Sequence, residues 1–497
     1  MKLHDGSRPD SPAIQTWDFM LNFEPVIGLE IHSQLATASK LFCRCSTEFG
    51  QAPNTNTCPV CLGLPGVLPV TNARAVELAV RLGLATHCTI RLDSQFARKN
   101  YFYPDLPKAY QISQYDRPLC EKGWVEILVN GQVRRIGITR IHIEEDAGKL
   151  VHEGGDPQAS YVDLNRAGVP LVEIVSEPDL RTSEEARLYM EKIHSLVTYL
   201  NVSNGNMEQG NLRADANVSL RPVGQQQFGT RTETKNINSF RFVQAAIEYE
   251  MERQAEELRA GRKIIQETRL YDSLSKTTYS MRSKEEAHDY RYFPEPDLPV
   301  VQLTQSWVDA IAAKMPELPE AKSARYQQEY GLSAYDASVL TADRAVTEFF
   351  EAMLARGAPP KKAVNWVMGD LSARFNEEKI GPSQLKFSAG DLADLVIRVE
   401  KGELSGKMAK TVFEEMYATG KTPAAIIQEQ GLTQVSDTGA LEAIIAQVLA
   451  ENPEQVAQFR SGKDRVFGFF VGKVMQATKG QGNPSVVNDL LRKQLSA

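Results

Sequence analysis

Long apolar runs are missing from this chain of 497 residues, and nothing in it could span a bilayer. The opening MKLHDGSRPDSPAIQTWDFM likewise lacks the apolar core of a secretion signal. A membrane protein is therefore not expected, and a cytoplasmic one is. Cysteine is scarce, six in all, which excludes a disulfide scaffold. Phosphate-binding loops are missing too. The GKT at Gly420 to Thr422 has Glu415 where a Walker loop needs its first glycine, and no Rossmann glycine fingerprint follows a strand. A serine-rich amidase segment and a Cys–His nucleophile pair are also lacking, so the chain is not expected to release ammonia from an amide by itself. The formal net charge of −7 argues against a protein that coats nucleic acid over its whole surface, though not against a local basic patch.

The cysteines that are present fall in a pattern. Cys43 and Cys45 form CRC, Cys58 and Cys61 form CPVC, while Cys88 and Cys120 stand alone. Two tight pairs at this spacing predict a tetrahedral zinc site. Four thiolates would saturate the ion, so its role would be structural. Around them the text alternates strand-like runs with helices. In VIGLEIH, Ile27, Leu29 and Ile31 face one way while Glu30 and His32 face the other. LRADANVSLR repeats the alternation from Leu212 to Arg221, and RIGITRIHIEED and PLVEIVSEPD add strands that carry carboxylates. VNGQV carries an Asn-Gly hairpin signal, and Ser183–Leu200 and Ser239–Ala260 have apolar helical stripes.

The expected fold class is α+β: a largely antiparallel sheet, apolar on its helix-covered side and polar on the other. The expected organisation is a flexible extension over 1–22, a sheet domain over 23–293, a helical domain over 294–402 and a small helical tail over 403–497. RYFPEPDLP, with prolines 294, 296 and 299, is the expected first break. From Arg460 onward seven Lys/Arg face two acids, a basic end to an acidic chain and a candidate surface for a phosphate backbone.

Several acids sit where burial would cost them dearly unless compensated: Glu30, Glu144, Glu145, Glu173, Glu208 and Asp215. Gathered on neighbouring strands they would form an acidic floor for Mg2+, with His32 completing the shell. Arg98, Lys99, Arg213, Arg231, Lys235 and Arg282 are candidate cations beside it, a combination suited to phosphoryl transfer. The stretch ARKNYFYPDLPKAYQISQY sets Arg98, Lys99 and Lys108 among Tyr101, Tyr103, Tyr110 and Tyr115, with Pro104 and Pro107 forbidding a helix. It reads either as a packed loop or as a platform for an anionic partner with flat groups.

VIGLEIH, CRC…CPVCLGLPGVLPV, RKNYFYPDLPKAYQISQ, HIEEDAGK, DLNRAGVPLVEIVSEPD, GNLRADANVSLRP, ETKNINSF and DYRYFPEPDLP together resemble the GatB family, the B subunits of bacterial Asp/Glu-tRNA(Asn/Gln) amidotransferases. The resemblance runs from about Glu24 to the C-terminus. It implies a glutamine synthetase-like cradle, a helical domain and a tRNA-binding tail. It also implies a ligase that phosphorylates the side chain of Glu-tRNA(Gln) or Asp-tRNA(Asn) with ATP and then amidates it. Ammonia would come from a partner A subunit, with a small C subunit joining the pair. On this resemblance Glu30, His32, Glu144 and Glu145 are the expected Mg2+ ligands, with Glu173, Glu208 and Asp215 beside them. Arg98 to Gln114, with Lys108 among its binding residues, is expected to line the cradle near the amino-acyl end, Lys99 and Tyr101 being close to the phosphate or the terminal adenosine.

Overall fold

The computed structural model describes residues 22–151, 159–283, 290–432, 438–478 and 481–496, and the expected flexible extension lies outside them except for residue 22. The described residues form two units, one ending at Leu318 and one beginning at Pro319.

The first unit is built on a nine-stranded sheet. Its order is Thr277–Ser283, Glu267–Asp272, Thr232–Ile237, Leu212–Pro222, Phe23–Gln34, Pro170–Ser176, Gln132–Glu145, Cys120–Val129 and Thr89–Ile90. Neighbours run antiparallel except Thr232–Ile237 beside Glu267–Asp272, which are parallel. That exception has a mechanical cause: helix Phe240–Arg259 carries the chain back across the sheet between them. Asn130 and Gly131, both at positive φ, close the hairpin from Cys120–Val129 into Gln132–Glu145 as the Asn-Gly signal requires.

Alternation does the sorting. Ile27, Leu29 and Ile31 are at most 1% exposed and face the helices, as do Leu212, Ala214, Ala216 and Val218. Helices Ala73–Ala85, Ser183–Tyr199 and Phe240–Arg259 cover that side, the last two capped by Thr182 and Ser239. Burying each large aliphatic side chain there contributes about 1.5–3 kcal/mol. The other side of the same strands is left to polar groups.

The proline-rich segment after residue 291 returns to this unit. Phe293–Pro294 pairs with Ala97 and Arg98, Val301–Gln302 pairs with Asp93 and Ser94, and helix Gln305–Ala312 packs on Ala73–Ala85. The aromatic-basic stretch is a hairpin, with Ala97–Asn100 antiparallel to Tyr110–Ser113.

The second unit is helical. One apolar cluster runs from Tyr326 to Ile426 and includes helices Gly406–Thr419 and Pro423–Gln430; another runs from Leu441 to Leu495. The GKT sequence has an ordinary explanation there: Gly420 ends one helix at φ 76° and Thr422 caps the next. LTADRAVTEFFEAMLARG, expected as helical, is split in two, because the Asp343 carboxylate accepts from the Val346 amide and starts a new helix at Arg344. D343A is expected to cost about 1 kcal/mol of stability in urea titrations of the full chain.

Candidate active site

Strand pairing collects four of the six sequence-predicted acids, Glu30, Glu144, Glu173 and Asp215, on the polar face. Glu30 lies opposite Asp215, and His32 lies between Arg213 and Glu173. Glu173 in turn lies opposite His142. His32 Nε2 is 3.8 Å from Asp215 Oδ2 and its Nδ1 is 3.6 Å from Glu144 Oε1. His142 Nε2 sits 3.4 Å from Glu173 and 3.7 Å from Glu144. The ligand atoms of Glu30, His32 and Asp215 lie within 4.8 Å of one another, and so do those of His32, Glu144 and Glu173. His32 belongs to both sets.

These groups are charged because they are charged together. Burial alone would lower the His32 pKa, yet the nearby Asp215 and Glu144 carboxylates push it up to about 10. Burial would raise the carboxyls, yet His142 and His32 hold Glu144 well below its usual range. Asp215 is likewise held down, by Lys235 and His32. Lys235 bonds to Asp215 and lies 3.4 Å from Glu233. Lys99 is held well above its ordinary value despite desolvation, by Glu144 first among the groups that raise it. Its ammonium stands 5.0 Å from the Tyr290 ring and 5.9 Å from Tyr101.

The run Glu144–Glu145–Asp146 faces three environments, all of them buried. Glu144 joins the histidines and accepts from Ser113 Oγ at 3.1 Å. Glu145 is not with it. It engages Lys108 and accepts from the Ile112 amide, and it lines a separate cavity of about 190 Å³ beside the cysteines. Strand alternation is the reason, since adjacent residues point to opposite faces. Asp146, which no sequence pattern marks out, accepts from Arg213 at 3.1 Å and Gln34 at 2.9 Å.

Arg213, Asp215 and Glu208 line a cavity of about 810 Å³ together with Arg166, Lys149 and Phe49, Glu208 being exposed. Arg98 is committed elsewhere, its guanidinium forked on buried Glu295 at 2.7 and 3.0 Å and reaching Asp297 at 3.1 Å. It clamps the proline-rich segment to the hairpin. Arg231 is exposed just before strand Thr232–Ile237, and the Arg282 side chain lies outside the described residues.

Three participants besides Asp146 were not foreseen. His142 shares the strand phase of Glu144, two residues away, and that parity could have revealed it. Tyr290 and Tyr292 arrive from the proline-rich segment, Tyr292 stacking on Tyr115 at 4.2 Å and 5°. No local pattern announces that encounter.

The four paired cysteines do converge, with all sulfurs within 4.8 Å of one another and none in a disulfide. Cys58 and Cys61 are 3.9 Å apart, close to the edge of about 3.8 Å expected of a tetrahedron with metal–sulfur bonds of about 2.3 Å. Gly63, at φ +65°, must be glycine here, since a Cβ would fall 2.3 Å from Lys108 Cγ. Cys88 and Cys120 are core residues, and burial pushes both thiols up, Cys88 to about 11.

An α+β fold with carboxylates, imidazoles and ammonium groups crowded on the polar face of its sheet defines a class of protein: one with a buried, densely charged site. The particular family follows from comparison. Residues 25–309 match the GatB/GatE catalytic domain and residues 348–495 the GatB domain. The chain is 58% identical over 477 residues to the B subunit of the aspartyl/glutamyl-tRNA(Asn/Gln) amidotransferase of Geobacter sulfurreducens, covering 96% of this chain and all of that protein. It is 53% identical over 480 residues to the protein of the same name in Brevibacillus brevis, with the same coverage. The chain belongs to the GatB family, and membership places it among amidotransferases of the ligase type. No helix among the described residues is long and apolar enough to cross a membrane.

Proposed function

We propose that the chain performs ATP-dependent amidation of misacylated Glu-tRNA(Gln), Asp-tRNA(Asn) or both. A carboxylate is a poor electrophile: it is anionic and offers no leaving group. Transfer of the γ-phosphoryl group of ATP to a side-chain oxygen releases ADP and forms an acyl phosphate. Ammonia then attacks the carbonyl carbon, and inorganic phosphate leaves with that oxygen.

One observation carries the reading: Glu30, His32, Glu144, Glu173 and Asp215 are drawn from four neighbouring strands to one place, beside Lys99 and Lys235. Their oxygen-rich donor set fits Mg2+, which when bound would neutralise phosphate oxygens and would require His32 to give up its proton before it could serve as a ligand. Glu145, expected with them, stays with Lys108. Arg213 and Arg166 line the larger cavity, each within ion-pair reach of Asp146, and offer guanidinium donors to the phosphates of a nucleotide or a tRNA end. Lys99 is placed to offset charge on the transferred group, with Tyr101 and Tyr290 limiting its motion.

The test follows the oxygen. With 18O in the side-chain carboxylate of the esterified amino acid, the phosphate released on amidation should carry one label; unlabelled phosphate would end the acyl-phosphate reading. Ribonuclease should abolish the reaction, whereas a ligase for a free amino acid would survive it. K99A is expected to slow phosphate release about 10²-fold and Y101F only slightly; unchanged K99A rates would remove Lys99 from the site.

Nitrogen is supplied from outside the chain in this reading. The lone cysteines are buried and protonated, and the relatives are named as one subunit of an assembly, which supports a partner glutaminase A subunit and a small C subunit. The tail reading is supported by Arg460, Lys463, Arg465, Lys473, Arg492 and Lys493, none of them buried. The cysteine cluster is assigned to structural zinc. One zinc per chain is the expected stoichiometry by elemental analysis, and stripping it with a chelator should lower the melting temperature by several degrees.

A further inference from the structure

Lys40 was singled out by nothing in the sequence, yet it is 1% exposed. A buried ammonium needs hydrogen-bond acceptors for its three protons and an anion for its charge. Its acceptors are complete: the carbonyl of Asn56 at 2.7 Å, the carbonyl of Leu164 at 3.3 Å and Cys61 Sγ at 3.6 Å. The carbonyls are neutral. Among the described residues no carboxylate lies within ion-pair distance of Lys40, so the sulfur is the anion it reaches.

The surroundings are built around this contact. The Cys58 amide donates to the same Cys61 sulfur at 3.2 Å. The Lys40 amide donates to the Cys45 carbonyl at 3.0 Å, so its backbone is tied to the other cysteine pair. Asn56 N donates to Asn165 Oδ1 at 2.7 Å and Leu164 N to Asn54 Oδ1 at 2.8 Å, stitching the loop between the pairs to the turn that leads into Pro170–Ser176. Lys40 spans that seam from beneath. Gly168, at φ +85°, sits against both residues: a Cβ there would lie in ordinary contact with Cys61 Cβ at 3.4 Å and Lys40 Cδ at 3.5 Å.

We propose that Lys40 is the buried counter-ion of the four-cysteine metal centre and strengthens its hold on the metal. This rests on the assignment of zinc to the cluster. A divalent ion with four thiolates carries a net charge of −2, which is costly in a closed pocket. One ammonium on Cys61 halves it and lowers the tendency of that sulfur to take a proton and let go. Lys40 is thus a positioning residue: it touches a ligand and two loops, never the substrate.

The experiment uses the full-length chain loaded with zinc. K40M keeps the length of the side chain and removes the charge; K40R keeps the charge. Competition with a chromogenic chelator is expected to show zinc held about 10–100-fold less tightly in K40M, as for other outer partners of metal ligands, and largely restored in K40R. K40M binding one zinc with wild-type affinity would overturn the proposal and leave the zinc assignment standing. A wild-type chain that binds no metal would overturn both. Should K40M fail to fold, amine acylation of the wild-type chain, mapped by mass spectrometry, decides: Lys40 should be unreactive with zinc in place and react once zinc is removed. Protection that is the same with and without zinc would overturn the proposal.

Discussion

A chain carrying E144Q is expected to amidate misacylated tRNA about 10²–10³-fold more slowly than the wild type. The measurement should use ammonium chloride as nitrogen source, so that no glutaminase enters it. Glutamine keeps the shape of Glu144 and its contact with Ser113 Oγ but removes the charge that His32, His142 and Lys99 share. Three cations would then face only Glu30, Glu173 and Asp215 of the cluster. E145Q is the informative contrast, because Glu145 serves Lys108 across the sheet. A rate for E144Q within twofold of the wild type would show that the crowded face is not where phosphorylation happens.

The second large effect concerns stability. E250A should destabilise the chain by about 3–5 kcal/mol, the cost of breaking a buried charge network from one side. Glu250 is fully buried on helix Phe240–Arg259, where it meets Arg253 at 2.7 Å, Arg269 at 2.9 Å and Thr232 at 2.9 Å, and also Thr278. Thr232, Arg269 and Thr278 come from three successive strands, so one carboxylate pins the sheet's outer strands to its helix. Burial pushes the Glu250 pKa up, but Arg253, Thr278 and Arg269 outweigh it and leave it below its usual range. The sign follows: this stabilisation is present above the unfolded value of about 4.3 and is lost as pH falls through the lower folded value. Thermal unfolding of E250Q should therefore vary less between pH 5 and pH 3 than that of the wild type. Equal slopes would remove the network from the acid response.

Much of this was legible because alternation is local. VIGLEIH and LRADANVSLR declared which side of each strand would be apolar, and the Asn-Gly pair declared its hairpin. The cysteine spacing announced the convergence of four sulfurs. What could not be read was set by register between distant strands. Glu144 and Glu145 look alike in HIEED, and only pairing with Leu171 and Pro170 settles which one meets His32. Arg98 looked free for a ligand until the segment carrying Glu295 folded back on it. Lys40 and Tyr292 act through partners more than 100 residues away, Leu164 and Tyr115, and no spacing rule reaches that far.

Phe23–Gln34, the earliest strand among the described residues, is the middle strand of the sheet. Its partners begin at Pro170 and Leu212, so this apolar ribbon must wait for well over a hundred further residues. At elongation rates of about 5–20 residues per second, that is roughly ten to thirty seconds of solvent exposure with both edges open. A nascent chain of this design has a standing need for shelter during synthesis, and chaperone supply becomes a determinant of how much finished protein a cell obtains.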